Sequence, residues 1–151
     1  MGKNEQNHAC KAQVVVVLGN KKNTMATQKS ITTLHGEHKE WINKLSFYTD
    51  DLRVLQHRLD ETSNKNNSKE FTAGLEDFQN QLLVQHGQIE ILNHHISEHE
   101  AALENSVIKN PVASDHRTMH DHSEQREKMA DFEELFASLR KELMGFLSKW
   151  M

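Results

Sequence analysis

Only one cysteine and one proline occur in 151 residues, with six glycines and an aromatic fraction of 6%. The lone cysteine, Cys10, excludes an intramolecular disulfide and a cysteine-built zinc finger, and makes the cytoplasm the default location. Long apolar runs are missing too. Nothing nears the roughly 20 residues needed to cross a bilayer. The run Val14 to Leu18 falls short of the roughly 7–15 apolar residues of a signal-peptide core, and no small-x-small cleavage site follows it. The internal glycines Gly36, Gly74, Gly87 and Gly145 stand singly, so no phosphate-cradling loop is present, and no serine sits in a glycine-flanked nucleophile elbow. No catalytic constellation emerges, and the chain reads as a non-enzyme.

Clustered positive charge is also scarce. Eighteen Lys and Arg face 22 Asp and Glu, a net charge of −4. Beyond Lys29 the two signs are interspersed, whereas phosphate binding needs cations gathered on one face, so nucleic acid is not an expected partner. The segment up to Lys29 differs. Lys3, Lys11, Lys21, Lys22 and Lys29 oppose Glu5 alone, a surplus of four positive charges, which leaves −8 for the rest. Residues 1–28 therefore read as a flexible basic extension, of a kind that can touch anionic partners. Met25 opens a stretch that would itself serve as a start of translation.

What the chain has in abundance is a seven-residue apolar rhythm. Its first stretch runs Ile31, Leu34, His38, Trp41, Leu45, Tyr48, Leu52, Leu55 and Leu59. The second runs from Phe71 through Leu82, Ile89 and Ile96 to His99 and Leu103, and the third from Met119 through His122, Arg126, Met129, Phe136 and Leu143 to Trp150. Steps alternating between three and four keep one helix face against a partner, the pattern of a coiled-coil seam. The stretches predict helices at about 29–62, 68–107 and 115–150. A polar run, Glu61 to Ser68, separates the first two, with Asn67 and Glu70 spaced as a capping box. Pro111 interrupts the second connector. Short connectors favour reversal, so the fold class is all-α, an antiparallel bundle of three long helices with coiled-coil-like packing. Ile42, Phe47, Val54, Leu83, Ile91, Leu135 and Leu147 widen the apolar stripes, which suits a three-helix core or self-association.

The rhythm breaks at histidine in each stretch, and 11 histidines are present. Reversal at each connector gathers His35 and His38, His94, His95 and His99, and His116, His120 and His122 at one pole. Equal counting from the turns sets His38 beside His94 or His95, and His99 near His122. His95 and His99 lie four apart, as do His116 and His120, a spacing that can chelate one ion from a single helix. Glu37, Glu98 and Glu100 lie near enough to join. The candidate metal ligands are His38, His95, His99 and His122, with zinc or iron as the ion. The bland alternative is a polar layer that fixes register; a pH-responsive cluster is a third.

His95-Ile-Ser-Glu98-His99 fits the H-x-x-E-H pattern of inverted zinc peptidases, but those enzymes need a larger fold and a distant carboxylate. The histidine-rich body loosely resembles hemerythrin-type oxygen or iron binders. These use four helices with an ordered His, Glu and Asp set, so with three helices no ligand is carried over. The leading expectation is a non-enzymatic scaffold or protein-interaction module, forming a homo-oligomer or docking a partner helix and holding no cofactor. The alternative is a metal-binding bundle.

Overall fold

A computed structural model describes residues 6–109 and 115–151, with side chains for 31–105, 108 and 121–151. Three helices pack against one another: α1 (Gln6–Ser63), α2 (Lys69–Lys109) and α3 (Asp115–Trp150). No strand occurs among the described residues. α1 begins at Gln6, ahead of the start expected near residue 29. The side chains of the basic extension, those of His116 and His120, and Pro111 with its connector lie outside the described residues.

The first connector shows why α1 stops and α2 starts. The Asn64 and Lys65 amides still donate backward, to the carbonyls of Asp60 at 3.2 Å and Thr62 at 3.1 Å. The Asn66 side-chain amide donates to the Thr62 carbonyl at 2.9 Å and to the Trp150 carbonyl at 3.1 Å. One side chain thus closes the end of α1 and ties down the end of α3, supplying partners that helix ends lack internally. Ser68, not Asn67, caps α2: its Oγ accepts the Phe71 N–H at 3.2 Å. With Ser68 at the cap, the third helical position is Phe71, so Glu70 cannot close a capping box. Glu70 instead pairs with Lys149 at 2.7 Å.

Contacts climb together along α1 and α3: Glu37 meets Arg126, Lys44 meets Glu133, Asp51 meets Arg140, and Arg58 meets Met144. Along α1 and α2 they run in opposite senses. His35 and His38 meet Glu100, while Thr49 to Asp60 share a groove with Gln79 to His86. The core follows the seam, with Leu45, Leu59, Ile96 and Leu143 at zero exposure. Burying a side chain of this size stabilises by about 1.5–3 kcal/mol before chain entropy is set against it.

Two details of the seam differ from expectation. On α3 the buried residue after His122 is Gln125, and Arg126 points outward to Glu37. Steps of three then four fit the rhythm as well as four then three, so periodicity alone does not choose between them. Of the flanking apolar residues, only Leu147 enters the core; Ile42, Phe47, Val54, Leu83, Ile91 and Leu135 stay exposed.

Candidate metal centre

Each helix contributes one imidazole to a single layer. His38 and His122 are each 1% exposed, and His99 is half-buried. The rings sit with centroids 4.9 Å (His38–His99), 5.1 Å (His38–His122) and 5.6 Å (His99–His122) apart. One nitrogen from each can be chosen so that all three lie within 4.8 Å of one another. His99 Nδ1 and His38 Nε2 stand 3.0 Å apart. Three nitrogens on a tetrahedral zinc at 2.0–2.1 Å would be separated by about 3.3 Å. Around one ion the three nitrogens would have to draw together to about that spacing, and the proton His99 shares with His38 would have to leave.

The outer nitrogens are already engaged. Glu100 accepts from His38 Nδ1 through one oxygen and from His35 Nδ1 through the other. Glu37 accepts from His122 Nε2 at 2.8 Å. Arg126 in turn grips Glu37, its Nη2 donating to Oε1 at 2.9 Å and to Oε2 at 3.0 Å. An ionised carboxylate can only accept, so His38 carries its proton on Nδ1 and His122 on Nε2. The lone pairs left over are on His38 Nε2 and His122 Nδ1. His38 Nε2 accepts the Nδ1–H of His99. His122 Nδ1 is buried with no hydrogen-bond partner among the described residues.

Burial and hydrogen bonding pull on these groups in opposite directions. Burial holds His122 below the usual imidazole range, against the opposing pull of Glu37, and the neighbouring His38 and His99 push the same way as burial. The two carboxylates move oppositely to what burial alone would do. Burial raises Glu37, but the bonds from His122 and Arg126 outweigh it and hold the acid below its ordinary value. Glu100 is likewise raised by burial and lowered further by His38 and His35. Burial thus favours the neutral form of His122, and its partners favour the ionised form of Glu37; neutral imidazole is the form that binds a metal. Trp41 closes one side, stacked on His122 at 4.8 Å with 26° between planes.

Of the four candidate ligands, His38, His99 and His122 come together, and His95 does not join that group. His95 is half-buried one turn away, its ring 6.2 Å from that of His94. His94 faces outward to Glu98 at 3.2 Å, which takes Glu98 away from the centre as well. Equal counting places His38 beside His94 or His95; it lies beside His99. The reason is in the first connector: the chain keeps α1's direction through Asn64 and Lys65, so reversal falls toward Ser68 and shifts α2 by about one turn. The roles of Gln125 and Arg126 are not visible in the apolar pattern. The cue for Arg126 is a charge on a seam position, which helix cores avoid.

No protein-family model, curated protein or solved structure matches the chain.

Proposed function

We propose that the chain is a non-enzymatic, cytoplasmic helical bundle that binds one zinc ion through His38, His99 and His122. A single observation carries this reading: the three helices turn one imidazole each into a shared layer, with nitrogens within 4.8 Å. The support around it is of the right kind. Metal-bound histidines usually donate their second N–H to a carboxylate, and Glu100 and Glu37 accept those protons from His38 and His122. Zinc fits better than iron, because the carboxylates hold ring N–H groups rather than facing the lone pairs, whereas open non-haem iron sites take a carboxylate as ligand and three-histidine sets hold zinc.

The test uses the untagged full chain. After saturation with zinc and dialysis, elemental analysis should return one zinc per chain. Metal present at about 100 times its dissociation constant adds about 2.7 kcal/mol, so a chelator should lower the melting temperature by roughly 5–10 °C for a chain of this length. Changing His38, His99 and His122 together to alanine should remove both effects. Substoichiometric zinc in the parent, with a melting temperature that ignores the chelator, would discard the reading.

A second reading, a self-associating scaffold, is supported by a different observation. Leu83 is 71% exposed beside a groove lined by Thr49, Leu52, Gln56 and Leu82, and Phe47 is 64% exposed. Sedimentation of the metal-free chain should show a dimer or larger species. Leu83→Lys should shift it toward monomer.

A further inference from the structure

Three imidazoles would fill three corners of a tetrahedral zinc, and the fourth would need an occupant. Resting on the zinc reading, we infer that this corner takes an exchangeable solvent molecule or small monoanion, hydrogen-bonded by the side-chain amide of Gln125. Three observations point there.

First, Gln125 lies three residues beyond His122 on α3, a spacing that puts neighbouring side chains on one helix face, about 5–6 Å apart at Cβ. Second, Gln125 is 5% exposed, and its Nε2 has no hydrogen-bond partner among the described residues. Its neighbour His122 Nδ1 is in the same position. The two atoms are of opposite kinds. Nδ1 offers a lone pair, because the ring proton is committed to Glu37, whereas Nε2 offers hydrogens. A cation satisfies the first and an electron-rich ligand on that cation satisfies the second. Buried polar groups left without partners call for such an explanation. Third, the acids at hand are occupied elsewhere: Glu37 and Glu100 hold the outer nitrogens, so neither turns inward without releasing a ligand.

A ligand that serves both atoms offers a lone pair to the cation and accepts a hydrogen bond from the amide. Hydroxide, thiocyanate and azide do both.

The experiment loads the full chain with cobalt(II), whose visible absorption reports coordination, and titrates it with thiocyanate. The expected result is one cobalt per chain and a saturable change in the visible bands. Gln125→Leu, with Gln125→Met as a second apolar replacement of similar volume, should keep one cobalt per chain. Each should weaken thiocyanate about 10-fold or more, the worth of a hydrogen bond to a charged ligand. A saturated cobalt centre blind to thiocyanate would overturn the inference, because the fourth corner would then belong to the protein. So would thiocyanate affinity equal in parent and both variants. A parent chain that takes up no cobalt or zinc fails at an earlier step. Elemental analysis separates that outcome, which removes the metal reading itself, from failure at the fourth corner alone.

Discussion

The two poles of the bundle are built from opposite materials. At the first connector, Phe71, Phe78, Phe146 and Trp150 pack ring on ring, with Phe71 stacked on Phe146 at 5.5 Å and 17°. Leu143 and Leu147 lie beneath them, almost wholly buried. At the other pole the same seam positions carry His38, His99 and His122, followed on α3 by Gln125. Ring packing at the first pole gains dispersion and removes apolar surface from water. The histidine layer holds a buried nitrogen without a partner among the described residues, at about 1–3 kcal/mol for an unmet hydrogen bond. The apolar gain is thus concentrated at one end, and the penalty falls at the other, where the metal centre is proposed.

The largest test of this contrast is Phe71→Ala. Phe71 is 1% exposed, and truncation of a buried phenylalanine costs about 3–5 kcal/mol. Urea denaturation of metal-free protein should show that loss, while the zinc stoichiometry of the folded variant stays at one. A loss under about 1 kcal/mol, below the range for buried aromatic truncation, or zinc lost with the ring, would mean that the poles are not separable.

Next comes Glu100→Gln at the histidine pole. The amide can still accept from one imidazole, but it no longer polarises His38 and His35 as a carboxylate does. Loss of such an outer partner lowers metal affinity about 10–100-fold, or about 1.4–2.8 kcal/mol. Competition with a chromophoric chelator measures it. Metal-free unfolding should shift far less than in Phe71→Ala. If the affinity stayed unchanged, Glu100 would be a surface acid and nothing more.

Much of this was legible in the sequence, and the parts that were not have physical causes. Leu45, Leu59, Ile96 and Leu143 were readable as core because a strict three-and-four rhythm admits only one inward face. The meeting of His99 with His122 followed from equal counting away from the turns. Counting set His38 one turn wrong, because hydrogen bonds from Asn64 and Lys65 prolong α1 beyond its last periodic residue, and no composition signal marks that. Gln125 and Arg126 could not be told apart by phase alone. The flanks suited either a wider three-helix core or self-association, and hydropathy alone could not divide them: Leu147 joins the core, whereas Ile42, Phe47 and Leu135 stay exposed.

Gly74→Ala returns to the aromatic pole with a smaller effect. A methyl at Gly74 would stand 2.9 Å from Phe146 Cζ and nearer still to Cε2. The ring cannot swing aside freely, because Phe71 and Phe78 both pack against it. Overpacking costs about 1–3 kcal/mol, while the better helix propensity of alanine returns about 1 kcal/mol. A net loss of about 1 kcal/mol is expected from that difference. At Gly87, where a methyl meets nothing within 4 Å, the same change should stabilise by about as much. The pair of signs is the readout: close approach at Gly74, open space at Gly87.

The smallest effect is the most diagnostic, because it should have the reverse sign to Phe71→Ala. His122→Leu removes a ring whose Nδ1 is buried without a partner among the described residues, and replaces it with a residue that seams of this kind prefer. It gives up the bond to Glu37 and the stack on Trp41, but Glu37 keeps Arg126 on both its oxygens. Replacing a buried polar group by a well-packed apolar one is often neutral or stabilising. Metal-free His122→Leu should therefore match or exceed the parent by about 1 kcal/mol in urea, and should bind no zinc. Should the variant instead lose several kcal/mol without metal, the histidine layer would be a stability element like the aromatic pole, and the division between the two ends would collapse. A gain in stability together with a loss of zinc would mark His122 as a residue kept for binding at a cost to the fold.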